Sequence, residues 1–168
     1  MKELSTPADT IYSYKELFNN KACNFFVKRK FGGFVEELKN ILVVDNHQNI
    51  LELLSNLLQM YKYQTFCALD TNSALKLLEE EKVDCVVTDV EMPKPNGFDL
   101  LDEIKSRYPQ VPVIMISSYA NPKMEKQAHA SGASGFAAKP FSIDTLQKMI
   151  VDALDKTEKT DKIPLVNV

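Results

Sequence analysis

Residues 41–61 read ILVVDNHQNILELLSNLLQMY, and this stretch decides the architecture. Ile41 to Val44 is a continuously apolar, largely β-branched run, too short for a helix, which predicts a strand buried on both faces. It stops at Asp45. Beyond it Ile50, Leu53, Leu54, Leu57, Leu58 and Tyr61 recur at the three- and four-residue spacing of an amphipathic helix. The same unit then repeats down the chain. Tyr63–Cys67 predicts a second strand, and Ala74, Leu75, Leu77 and Leu78 mark a second helix closed by the solvated run 79–82. Val83–Thr88 predicts a third strand ending at Asp89, followed by a helix marked by Phe98, Leu101, Ile104 and Tyr108. Val111–Ile116 predicts a fourth strand ending at Ser117, and Pro122 suits the first turn of a helix reaching about Ala130. Gly135–Ala138 predicts a short fifth strand before Lys139-Pro140. Ser142 suits the cap of a fifth helix with Ile143, Leu146, Ile150, Ala153 and Leu154 on one face.

Five strands alternating with five helices predict an α/β fold, a doubly wound parallel sheet covered on both faces. Right-handed crossovers leave few topologies for it. Composition agrees: 168 residues, 45% apolar and 26% charged, suit one domain of ordinary size with a short extra segment. A net charge of -3 gives no bulk field for a polyanion, so no direct nucleic-acid partner is expected. No apolar run approaches the ~20 residues of a membrane span, and MKELSTPADT lacks the apolar stretch of a secretory signal. Cys23, Cys67 and Cys85 form no CxxC pair and read as reduced thiols of a cytoplasmic protein.

Charge divides the chain near residue 40. Residues 1–39 carry seven Lys/Arg against five Asp/Glu and seven aromatics from Tyr12 to Phe34, with Lys28-Arg29-Lys30 among them. This N-terminal extension is expected to be partly helical, over 10–31 and 34–39. It is either an extension packed on the main domain or a partner, or a docking or membrane-surface segment. Residues 40–156 are expected to form the main domain, and 157–168 a flexible charged tail.

In open parallel sheets ligands sit beyond the carboxyl ends of the strands. There the sequence places Asp45 and Asn46 after strand one, Asp89 after strand three, Ser117 and Ser118 after strand four, and Lys139 after strand five. Any one of them alone reads as a solvated loop residue. Together they are chemically coherent. Hard oxygen ligands suit Mg²⁺, which takes one or two carboxylates and phosphate oxygens. A carboxylate can form an aspartyl-phosphate, and an ammonium can neutralise charge on a transferred phosphoryl group.

At ILVVDN (41–46), VVTDVEMPKPNGFDLL (86–101), PVIMISS (112–118) and SGASGFAAKPF (131–141) the chain resembles a response-regulator receiver domain of two-component signalling. The resemblance covers about 115 residues in order, and its most specific parts are the run from Asp89 to Gly97 and Lys139-Pro140-Phe141. It implies a five-stranded flavodoxin-like sheet of order 2-1-3-4-5. It implies Asp89 as phosphoacceptor and Asp45, Asn46, Asp89 and the Glu91 backbone carbonyl as holders of Mg²⁺. Ser117 would bond one phosphoryl oxygen and Lys139 another, with a cis bond to Pro140. Ser117 and the aromatic Phe136 would form the switch, Phe136 following Ser117 inward. Partners implied are a sensor histidine kinase or phosphotransfer protein upstream and a protein partner downstream, read by the face of helix four, strand five and helix five. The role is that of a phosphoacceptor rather than an enzyme turning over an external substrate. Too few residues follow the fifth helix for an output unit, so a single-domain regulator is expected.

One residue departs from the family. Receiver domains usually carry a second acid where Asn46 stands. Loss of a charge weakens Mg²⁺ binding, and leaves open a phosphorylation-independent interaction module as the alternative. Glu91 reads either as a solvated loop acid or as a side chain leaning over the pocket and restoring that charge. Tyr119 reads as a surface aromatic or as a screen against water. A flavin-binding flavodoxin shares the layering, but DNHQN (45–49) stands where its hydroxyl-rich phosphate loop belongs. His47 reads as a helix-start residue.

Overall fold

The apolar run at 41–44 forms the core of β1 (Asn40–Val44), and all four of its apolar side chains are buried from solvent. The computed structural model describes residues 38–161. The expectations for residues 1–37 and for 162–168 lie outside the described residues. After β1 come α1 (Gln48–Met60), β2 (Gln64–Ala68), α2 (Thr71–Glu80), β3 (Cys85–Asp89) and α3 (Gly97–Arg107). They are followed by β4 (Val113–Ser117), α4 (Pro122–Ala130), β5 (Gly135–Ala138) and α5 (Ile143–Asp161). The strands pair in parallel in the order β2-β1-β3-β4-β5.

Alternation along each strand sends side chains to two cores. Ile41 and Val43 of β1, Cys85 and Val87 of β3, and Ile114 and Ile116 of β4 pack on one face. Leu51, Leu54 and Leu58 of α1 and Leu146, Ile150 and Ala153 of α5 cover that face. Leu42, Val44, Val86, Val113, Met115 and Phe136 point to the other face, beneath Ala74 and Leu78 of α2, Leu100, Leu101 and Ile104 of α3, and Ala128 of α4. Burial pushes the Cys85 thiol up to about 12, so it stays protonated as a small core residue. Cys67 is only half-buried.

Strand ends differ from expectation in a way that matters for the site. β3 and β4 both run one residue further than the apolar pattern, taking Asp89 and Ser117 into their last ladder positions. Asp89 pairs in register with Ile116, and Ser117 with Ala138. Both side chains are therefore held by sheet backbone rather than by loop.

α5 also extends past the boundary at 156, to Asp161. The charged residues there were read as a tail, yet the helix continues through them. Lys156 and Lys159 are good helix formers, and the Thr157 hydroxyl donates back to the Ala153 carbonyl at 3.1 Å. No described helix is long and apolar enough to cross a membrane.

Candidate functional site

The carboxyl edges of β1, β3, β4 and β5 deliver their terminal residues to one pocket. Asp45 and Asp89 are buried, at 0% and 2% exposure. Two buried carboxylates side by side need a cation, and Lys139, from the end of β5, supplies one. Its Nζ donates to Asp89 Oδ1 at 2.8 Å and to Asp45 Oδ2 at 3.1 Å. The Lys139-Pro140 bond is cis, as the resemblance implied, and so is Lys94-Pro95, which no sequence feature had indicated.

Burial holds the Asp89 carboxyl above the ordinary carboxylate range; the Lys139 bond and charge oppose this, and the Asp45 and Glu91 charges reinforce it. Burial pulls the Lys139 ammonium down, but the bonds and charges of Asp89 and Asp45 outweigh it and leave it raised. Lys139 is thus held in its charged form, while burial works against the charged form of Asp89.

The other oxygen of Asp45, Oδ1, accepts from His47 twice: from its backbone N–H at 2.8 Å and at its Nδ1, 3.0 Å away. His47 is the N-cap position of α1, as expected, but its ring also orients Asp45. Asn46 sits beside them with a buried side-chain oxygen, Oδ1, that has no hydrogen-bond partner among the described residues. An orphaned amide oxygen on the residue that follows Asp45 matches the donor chemistry of a hard divalent cation. Asp45, Asn46 and Asp89 therefore fit Mg²⁺. The described residues hold no cluster of three or more acids, imidazoles or thiols, and such an ion, which keeps several waters, does not need one.

On the β4 side of the pocket Glu91 is half-buried rather than solvated, and its side chain is bonded to the two serines. Its carboxylate accepts from the Ser117 hydroxyl through Oε1, and from the Ser118 backbone N–H through Oε2 at 2.9 Å. The Ser117 oxygen in turn accepts from Tyr119 N–H at 3.1 Å and lies 3.4 Å from Met124 Sδ of α4. Tyr119 itself is 75% exposed, a surface aromatic at the mouth of the site. Phe136 is already buried in the core beneath α4.

The loop from β3 to α3 is shaped by features only partly visible in sequence. Asn96 caps α3, accepting from Phe98 N–H at 3.0 Å and Asp99 N–H at 3.2 Å, while Asp99 accepts from Asn96 N–H at 2.7 Å. Asn-x-x-Asp ahead of an apolar helix carries that capping-box signal. The Thr71 hydroxyl donates to the Pro95 carbonyl at 2.7 Å, tying the loop to α2. No local pattern announces that bond.

Comparison with known proteins identifies the family. The family described as "Response regulator receiver domain" matches residues 41–151. Response regulator protein PilR of Pseudomonas aeruginosa is 34% identical over 127 residues, 75% of this chain and 28% of PilR. Regulatory protein AtoC of Escherichia coli is 32% identical over 117 residues, 70% of this chain and 25% of AtoC. The chain thus spans about a quarter of the length of these curated relatives. A crystal structure of a response regulator receiver domain protein from Clostridium thermocellum superposes with a TM-score of 0.70 at 29% identity, covering 73% of this chain and 99% of that one. A CheY-like receiver domain protein from Methanospirillum hungatei gives 0.69 at 27% identity, covering 74% and 99%. The chain belongs to the response-regulator receiver-domain family of two-component signalling.

Proposed function

We propose that Asp89 accepts a phosphoryl group from a phosphohistidine of a sensor histidine kinase or phosphotransfer protein, and that the acyl-phosphate changes the surface offered to a downstream protein. The observation that supports this most is the Lys139 ammonium bridging two buried carboxylates at the carboxyl edge. In the transfer an Asp89 carboxylate oxygen attacks phosphorus, the phosphorus–nitrogen bond of the donor breaks, and the imidazole leaves with its electron pair and takes up a proton. Lys139 balances charge that spreads onto the phosphoryl oxygens. The Ser117 hydroxyl is the donor for a further phosphoryl oxygen. Asp45, Asn46, Asp89 and the Glu91 backbone carbonyl hold Mg²⁺, which neutralises phosphoryl charge when bound.

The output surface on this reading is α4, β5 and α5. Only Ala128 of α4 is buried, and a thinly packed helix is readily repositioned. On this reading the chain acts as a phosphoacceptor in the cytoplasm, without turnover of an external substrate. Asn46 supports one alternative, an interaction module that works without phosphorylation, since it removes a charge that receiver domains usually supply.

The test is intact mass after incubation with acetyl phosphate across a Mg²⁺ series, beside Asp89→Ala. A Mg²⁺-dependent phosphoryl adduct absent from the variant is the expected result. No adduct on folded protein, with acetyl phosphate or with a phosphorylated histidine donor, overturns the proposal in favour of the interaction module.

A further inference from the structure

Glu91 occupies the Ser117 hydroxyl, the donor assigned above to a phosphoryl group on Asp89, together with the adjoining Ser118 N–H. A serine hydroxyl has one proton to donate, and that of Ser117 is committed to Glu91 Oε1. The adjoining Ser118 N–H, at the exposed rim, is committed to Oε2 at 2.9 Å. Both bonds are charge-assisted, the stronger kind. Glu91 itself is two residues past Asp89, on the loop leaving the same strand. The carboxylate and an acyl-phosphate on Asp89 are two anions competing for one donor pair, and their mutual repulsion sharpens the competition.

We infer that the Glu91 carboxylate is an internal anion that holds Ser117 and Ser118 in the resting arrangement and is expelled when Asp89 carries a phosphoryl group. Glu91 is on this view a positioning residue acting through Ser117, and it sets how much of the donor's binding free energy is used in switching. Either Glu91 or the phosphoryl group has the donors, which is a two-state device biased by differential affinity alone. The same hydroxyl lies 3.4 Å from Met124 Sδ, which places α4 in contact with the group that changes partner. The inference rests on the phosphoacceptor reading above and adds to it a competitor within the chain.

The test uses the full chain, ¹⁵N-labelled, as wild type, Glu91→Gln and Glu91→Ala. Beryllofluoride at saturating Mg²⁺ serves as the acyl-phosphate mimic. Before it is added, the Ser118 amide proton of Glu91→Ala is expected to move upfield and exchange about tenfold faster, the scale of losing one charge-assisted bond. Glu91→Gln, which keeps an acceptor oxygen, is expected to fall between. The beryllofluoride concentration for half-saturation is then expected to fall about tenfold in Glu91→Ala and less in Glu91→Gln. An unchanged Ser118 resonance in Glu91→Ala overturns the inference, and so does a variant that needs as much beryllofluoride as wild type or more. Failure of all three proteins to bind it overturns the phosphoacceptor reading itself; binding by wild type without a gain in the variants overturns the inference alone.

Discussion

Lys139 Nζ lies 2.8 Å from Asp89 Oδ1 and 3.1 Å from Asp45 Oδ2, although Asp45 precedes it by 94 positions. One ammonium therefore serves two buried carboxylates, and it does not fully compensate the second. The residual imbalance shows in Asp89, which burial keeps above the ordinary carboxylate range in spite of the bond. Below the ordinary range this carboxyl is protonated in folded and unfolded chains alike and has no effect on stability. As pH rises through its raised folded value, the unfolded chain ionises more readily than the folded one, and stability falls. Lys139, raised in the folded state, contributes stability across that whole range and loses it only above the usual lysine range. Asp89→Asn removes the acidic effect and leaves Asp45 to hold Lys139. In EDTA its unfolding free energy, from urea titration, is expected to lie closer to that of wild type near pH 4 than at pH 7.5, where it exceeds it. A gap of the same size at both pH values would sink this electrostatic account.

Asn46 leads to a second expectation. Its buried Oδ1 has no partner among the described residues, so an Asp in its place adds charge where a cation fits. Asn46→Asp is expected to bind Mg²⁺ about tenfold more tightly, since affinity follows ligand charge. Without Mg²⁺ the same variant sets a third carboxylate beside Asp45 and Asp89 and is expected to be less stable than wild type. Adding Mg²⁺ should then raise its urea midpoint more than that of wild type. Tyrosine fluorescence, in a chain without tryptophan, can follow both titrations. Equal Mg²⁺ midpoints for the two proteins would refute it.

Much of the frame was legible because its signals are local. Four apolar residues before Asp45 and a helical stripe after it specify a β/α unit within twenty-one residues, and the unit recurs. The strand order came from the resemblance, not from any pattern in the chain. Residue types at the carboxyl edge could be read because every strand announces its own end. What those side chains do to each other could not. The Ser117–Glu91 bond joins positions 26 apart, and the Thr71–Pro95 bond positions 24 apart. Such pairs depend on how strands and loops register in space, which no periodicity records. Charge was a poor guide to the end of α5, because a solvated helix face and an unstructured tail have similar compositions.

Away from the pocket, Ser55 of α1 and Thr65 of β2 share a buried hydrogen bond of 2.6 Å, and Gln59 Nε2 donates to both oxygens at 3.1 Å. Thr65→Val keeps the shape and leaves the Ser55 hydroxyl and the Gln59 amide only their bond to each other. It is expected to cost about 1–3 kcal/mol, the penalty for unsatisfied buried polar groups. Adding Ser55→Ala removes that hydroxyl as well, so the double variant should lose less than the sum of the single variants. Urea unfolding of the four proteins measures the coupling. Phosphoryl labelling of Asp89 is expected to be unchanged in all of them. A labelling defect here would mean that the network reaches the site by a route the contacts do not show.

Gly97 makes the opposite case, a packing position wired directly to the chemistry. It is the first residue of α3, and its N–H donates to the Val90 carbonyl at 3.4 Å. A Cβ at Gly97 would stand 2.1 Å from the backbone oxygen of Asp89 and 2.9 Å from the Val90 Cα. Neither neighbour is a flexible side chain, so the strand end itself must move. Gly97→Ala is expected to cost about 1–3 kcal/mol, as overpacking does. That is close to the expected cost of Thr65→Val, and the difference lies in what moves. Shifting the Asp89 backbone carries its carboxylate away from Lys139, and positioning errors of this kind are costly for group transfer. Labelling by acetyl phosphate is therefore expected to slow about tenfold or more in Gly97→Ala while Thr65→Val labels normally. Equal labelling rates for the two variants, at matched stability, would show that the approach of α3 to the end of β3 serves the fold and not the placement of Asp89.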